Sequence, residues 1–383
     1  MRRYRFTALG LSLLVLASCA SVSEKGTIAQ LQKVKLDLTD EKIEGGIEKA
    51  MQGYQKFLEE TPESAMTPEA MRRLADLKIE KEYGILESPS QPVAQRAPAT
   101  STPLDRPESA VIAGHQAVET EQPDVARESQ QDFEARTTQM DVPENADASL
   151  AVQDGLANKG AEEAIKLYKE LLEKYPFYER NDQVLYQMTR AYEELGEVEQ
   201  AIEVMNRIVA DYPDSRVIDE IQFRRGEFYF MRKKYLDAER AYLAIAEMGA
   251  SSFYYEMALY KLGWTFYKQD MLEEAMNQFV ALLDHKINTG YDFANPTDEY
   301  EQKRIEDTHR VISLSFSAMG GPEAVVDYFE KYGERSYEVD IYRNLGEHYL
   351  EKRRYADAAS AYKTFVKLNP YNKVSPHFDM RVI

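Results

Sequence analysis

The chain has 383 residues, a formal net charge of −19 and a single cysteine. That charge repels nucleic-acid phosphates and anionic membrane surfaces, and a lone thiol excludes an internal disulfide framework. With 26 tyrosines but only 18 glycines and 15 prolines, and with Ala, Leu, Glu and Lys abundant, the composition favours helices.

Residues 1–18 read as a signal peptide. Arg2, Arg3 and Arg5 form a basic start, Phe6 to Leu16 is mostly apolar, and Ala17 and Ser18 are small. The apolar run falls short of the roughly 20 residues that span a bilayer. The sequence Leu16-Ala17-Ser18-Cys19 resembles a bacterial lipobox. The resemblance implies that the thiol of Cys19 receives a diacylglycerol, that the chain is cut before it and that the new amino group is acylated. Ala20 rather than Asp then implies sorting to the outer membrane of a Gram-negative cell. Each buried methylene contributes about 0.8 kcal/mol, so several acyl chains would anchor the protein firmly. Residues 19–40 are expected to tether the rest to the membrane.

Residues 41–84 read as helices, with Thr67 as N-cap and Pro68 in the first turn. Residues 85–145 are rich in Pro, Ser, Thr, Ala, Gln and Glu. Such a segment buries too little surface to offset its ordering entropy. It is expected to be a disordered linker, the alternative being a few weak helices around Ala117–Arg136.

Residues 146–383 are repetitive. Ala164, Ala201, Ala238 and Ala275 follow one another at intervals of 37 residues, and Ala324 and Ala358 take the same role further on. Nine residues before four of these alanines stands an aromatic: Tyr192, Tyr229, Phe266 or Tyr349. Three before that come Thr189, Gly226, Gly263 and Gly346. A large residue sits four after the alanine: Tyr168, Met205, Tyr242, Phe279, Tyr328, Tyr362. Pro176, Pro213 and Pro370 stand twelve after three of the alanines. The pattern predicts two antiparallel helices per repeat, with small residues at the close approach, aromatics filling the gaps and Pro stopping the second helix. It resembles the tetratricopeptide repeat (TPR), so the fold class expected is all-α, a TPR-like helical-hairpin solenoid. Two repeats depart from the pattern. The first helix before Ala164 has Gly155 where the aromatic belongs, and the repeat of Ala324 has Ser315 and Ile312 at the aromatic and glycine positions. Ala50, Tyr54 and Pro62 repeat the second-helix spacing, and Leu74 and Ala75 look like a following first helix. The linker is thus inserted between TPR-like elements, and the sequence leaves open whether the early helices stack on the main array. VSPHFDMRVI reads as one more first helix, either a cap or the start of a further repeat.

No catalytic or metal-binding pattern stands out. The five histidines form no H-x-x-x-H pair, and neither a phosphate-binding glycine loop nor a G-x-S-x-G elbow occurs. No enzyme, no metal and no cofactor is expected. In TPR arrays the first helices line a groove, and the resemblance puts Tyr186, Phe223, Tyr260 and His309, then Arg190, Glu227, Trp264 and Ser313, then Glu193, Phe230, Tyr267 and Phe316 on it. Arg190, Arg224, Lys261 and Arg310 would offer charge to acidic groups of a ligand. The same aromatics could instead pack between repeats. The partner-binding set expected is Tyr186, Arg190, Phe223, Phe230, Tyr260, Lys261, Trp264, Tyr267 and Arg310, with Trp264 at its centre. The likeness extends to envelope TPR proteins of the BamD and Tol–Pal accessory type and to longer ones of the gliding-motility type. It implies a lipid-anchored, periplasm-facing scaffold binding an envelope protein or peptide; the alternative is a peptidoglycan-binding tether or regulator of a cell-wall enzyme.

Overall fold

A computed structural model describes residues 45–83, 129–138, 158–293 and 298–383. Cys19, the signal peptide, the tether (residues 19–40), residues 41–44 and 84, and most of the linker lie outside them. The described residues from 50 onward form one compact unit, and of the preceding unit only residues 45–49 are described.

The described residues are helical, without strands. In chain order the helices are α1 (Gly46–Glu60), α2 (Thr67–Tyr83), α3 (Gln130–Thr137), α4 (Asn158–Lys174), α5 (Asn181–Glu194), α6 (Val198–Asp211), α7 (Ile218–Met231), α8 (Tyr235–Met248), α9 (Tyr255–Lys268), α10 (Leu272–Asn288), α11 (Glu299–Met319), α12 (Pro322–Tyr332), α13 (Glu338–Glu351), α14 (Tyr355–Leu368) and α15 (Ser375–Arg381). From α4 to α11 each helix packs on the next in sequence, as α13, α14 and α15 do. The hairpins are α5–α6, α7–α8, α9–α10, α11–α12 and α13–α14, and α15 follows as a short helix against α14.

The small positions set the spacing within each hairpin. A Cβ built on Gly226, Gly263 or Gly346 would come closer than 3.0 Å to the ring of Tyr242, Phe279 or Tyr362 respectively. Each ring is wholly buried, so the aromatic of the second helix lies against backbone that only glycine leaves bare. In the repeat of Ala324 the buried Ile312 fills the glycine position, and α11 and α12 pack less intimately than the other hairpins. Phe316 supplies the missing ring there, 5.7 Å from Tyr328.

The first helix paired with α4 is α2, brought back from across residues 84–157; the stretch around Gly155 lies outside the described residues. Ala75 takes the glycine position, and Asp76 accepts a 2.7 Å hydrogen bond from the Tyr168 hydroxyl. Lys78 pairs with Glu163. The two carboxylate oxygens of Glu82 accept from the backbone N–H groups of Gly160 and Ala161, both at 2.9 Å, which caps the start of α4. Within the expected linker, Gln130–Thr137 form the helix α3, which overlaps the weak helices given above as the alternative. Ser129 caps α3 by accepting from the Asp132 N–H at 3.1 Å, and Phe133 is wholly buried.

Candidate functional site in the groove of the first helices

The first helices α11 and α13 pack on one another, and α3 lies against α9 and α11. Its Phe133 ring lies 5.7 Å from the indole of Trp264 on α9. On the other side the guanidinium of Arg310 on α11 sits 4.1 Å from the ring centroid. Two charged contacts fix the helix lengthwise. Arg136 donates to both oxygens of Asp307 at 2.8 and 2.9 Å, a two-pronged geometry that sets orientation as well as affinity. Lys268 donates to Glu134 at 2.5 Å. Burying a Phe side chain stabilises by about 1.5–3 kcal/mol, and a cation over its face adds about 0.5–2 kcal/mol. An isolated helix of this length is marginal in water, so docking is what holds α3 together.

The groove continues past α3. A cavity of about 810 Å³ is lined by Ser129, Gln130 and Arg136 on one side and by residues of α11 and α13 on the other, including Lys303, Glu306, Arg310 and His348. Charges of both signs meet there, which suits a polar or amphipathic segment better than an apolar one. Burial holds His348 below the usual histidine range, with Lys352 adding to the effect. Burial pushes the Tyr267 hydroxyl up, and Glu134 adds to the shift.

The sequence-predicted residues divide into two groups. Tyr186, Phe223, Phe230, Tyr260 and Lys261 are buried, and this corrects the expectation that they face a ligand. The Tyr186 hydroxyl reaches both oxygens of Glu220 at 3.0 Å. Phe223 stacks on Tyr254 at 5.1 Å, Phe230 lies 5.5 Å from Tyr235, and Tyr260 meets Phe279 at 6.2 Å. Lys261 donates to Glu227 at 3.2 Å inside the array, where Glu227 also accepts from Tyr242. Their 37-residue recurrence is therefore that of packing between helices. Arg190 is half-buried beside Tyr186. Of the flanking positions, Glu193 is bound to Arg224 at 2.8 Å, and burial pushes its carboxyl up. His309 is buried, its Nδ1 3.0 Å from the Ile305 carbonyl, and burial pushes it below the usual histidine range.

Trp264, Tyr267 and Arg310 form the second group, at the groove. Trp264 is fully enclosed, with Tyr267 at 5.4 Å and Phe133 above it. Its indole N–H is buried without an acceptor. Sequence reasoning missed Phe133, Glu134, Arg136, Lys268 and Asp307. Two signals for α3 were present: Ser129 and Asp132 frame a helix start, and Phe133 is the one Phe, Tyr or Trp between residues 85 and 145.

No metal-holding cluster of His, Cys, Asp or Glu occurs among the described residues, nor is any of their helices long and apolar enough to cross a membrane. Family models described as tetratricopeptide repeat match residues 156–222, 257–285 and 318–373. The first match starts beyond the insertion and so leaves out α2. No curated protein matches the chain. Among solved structures it is similar to a tetratricopeptide repeat protein from Parabacteroides merdae, at 14% identity over 88% of this chain and 92% of that one, with a TM-score of 0.35. It is also similar to MamA from Desulfovibrio magneticus, at 18% identity over 46% of this chain and 85% of that one, with a TM-score of 0.30.

Proposed function

The chain is a tetratricopeptide-repeat protein, an architecture that serves as a scaffold for other proteins, and from that premise we propose a lipid-anchored, periplasm-facing scaffold of the cell envelope whose groove holds a helical segment of another envelope protein. The observation that carries the groove reading is Phe133. A helix from outside the repeats sits across the first helices with its aromatic ring wholly enclosed and a charge pair on either side of it. A face that takes one such helix has the chemistry to take another. The anchor and the compartment rest on the Arg2-to-Cys19 pattern.

The test places a photoreactive amino acid at Lys303, which is exposed and lines the open part of the groove. Cross-linking in the native cell is expected to trap a discrete envelope protein. Adducts only within the chain would sink the reading. The anchor is checked separately by feeding cells an alkyne-tagged fatty acid. The tag is expected on the wild-type protein and absent from Cys19→Ala; equal labelling of both would refute it.

A further inference from the structure

The geometry points to α3 as a tethered ligand that fills part of the groove, and to a partner helix of the same polarity that takes its place: an aromatic side chain, an acid one residue on and a base three residues on. This rests on the reading of the groove as a partner site and names the partner's chemistry.

The pattern is read from three contacts of different kinds. Trp264 and Arg310 clasp the aromatic ring of Phe133. Lys268 takes the acid, Glu134, and Asp307 takes the base, Arg136. Reversing the helix would put acid against Asp307 and base against Lys268, so the site selects direction as well as composition.

Two features mark α3 as a replaceable occupant. It is short, and beyond Ser129 and Gln130 it leaves the mixed-charge cavity along α11 and α13 unfilled. The ring of Phe133 also covers Trp264 without giving the buried indole N–H an acceptor. A longer helix with a suitable oxygen gains contacts that α3 does not make. Because α3 belongs to the same chain, it competes at an effective concentration on the order of millimolar. Occupancy of this kind weakens the apparent affinity of an outside helix by the fraction of molecules with an open groove.

The probe is a fluorescein-labelled peptide of residues 126–141, titrated by anisotropy into the full chain and into the full chain carrying Phe133→Ala. The substitution lies outside the repeats, and far-UV circular dichroism checks that the array is intact. The variant is expected to bind the peptide about tenfold more tightly than the wild-type chain, as a mostly occupied groove requires. A peptide that itself carries Phe133→Ala is expected not to bind. A Lys268→Glu chain should lose the native peptide and regain one carrying Glu134→Lys. Equal affinity for both chains, no binding to the opened chain, or no rescue by charge exchange would each overturn the proposal. The outcomes separate from those of the cross-link. If the peptide behaves as stated and Lys303 traps no protein, the tethered ligand stands and the envelope scaffold falls. If a partner is trapped equally well from wild-type and Phe133→Ala chains and the peptide fails, the scaffold stands alone.

Discussion

At the scale of single residues, the hairpins are fixed by two backbone events in register with the repeat. One is the bare glycine under an aromatic ring. The other is the turn into the second helix. Gly196, Lys233, Asp270 and Arg353 have φ of 70°, 57°, 61° and 57°, in the left-handed region. The N–H of the next residue returns to the carbonyl of Tyr192, Tyr229, Phe266 and Tyr349, at 2.8–3.0 Å, closing each first helix in a Schellman-type turn. The aromatic positions read from sequence thus carry both a packing ring and a capping carbonyl. Glycine fills the turn in only one of the four, which makes opposite predictions for two substitutions. Lys233→Gly relieves a strained backbone and is expected to raise stability by about 0.5 kcal/mol, after the entropy glycine adds to the unfolded chain. Gly226→Ala pushes a methyl into the Tyr242 ring, which cannot retreat because it is enclosed and its hydroxyl is held by Glu227. It is expected to cost about 1–3 kcal/mol. Urea denaturation of the two variants against wild type checks both signs; equal midpoints would remove the argument.

At the scale of elements, the repeats from α5 onward were legible because neighbours in sequence are neighbours in space, so the recurring alanine and aromatic spacing reports both. The first hairpin was legible only in halves. Leu74 and Ala75 announced a first helix and Ala164 a second, yet a reading along the chain joins Ala164 to the residues just before it. Nothing in the spacing says that α2 skips residues 84–157 to complete the pair. The candidate site was less legible for a related reason. Aromatics that pack between helices and those beside α3 recur with the same period, so Tyr186, Phe223 and Tyr260 could not be told apart from Trp264 and Tyr267. Closing the hairpin across an insertion has a consequence that can be measured. The α2–α4 contact buries Met71, Ala75 and Ile79 and adds Asp76–Tyr168, Lys78–Glu163 and the Glu82 cap. A chain cut at an engineered protease site between residues 100 and 101 is therefore expected to stay in one piece, both fragments co-eluting on gel filtration. Ala75→Glu, which places a charge at the close approach, is expected to release the amino-terminal fragment. Separation of the cut wild-type chain would show that α2 does not complete the first hairpin.

At the scale of the whole array, the core falls into two clusters that meet at α7. One runs from Met71 to Ile221; the other holds Phe133 and runs from Phe223 to Phe378, with the half-buried Tyr229 packed against both. Beside Tyr229, polar contacts join α7 to the first cluster. Arg224 donates to Glu193 at 2.8 Å and to Glu220 at 2.9 Å. Arg225 donates to Asn206 at 2.8 Å, and Tyr229 reaches the same oxygen at 3.3 Å. In a solenoid, stability is close to a sum of repeats and of nearest-neighbour interfaces. A polar interface contributes less than an apolar one, so the array should divide there. The first cluster is the smaller, and its opening hairpin must also close a long loop, which costs entropy. It is expected to unfold first. The lone tryptophan separates the two events, because Trp264 lies wholly in the second cluster. In urea, the far-UV circular dichroism of the Phe133→Ala chain should begin to fall while Trp264 emission is still native; that background keeps the release of α3 from registering as unfolding. Replacing Arg225 and Asn206 with a leucine pair would join the clusters through apolar contact and should draw the two curves together. Coincident curves in the parent chain would mean that the seam at α7 transmits unfolding as well as the apolar interfaces do.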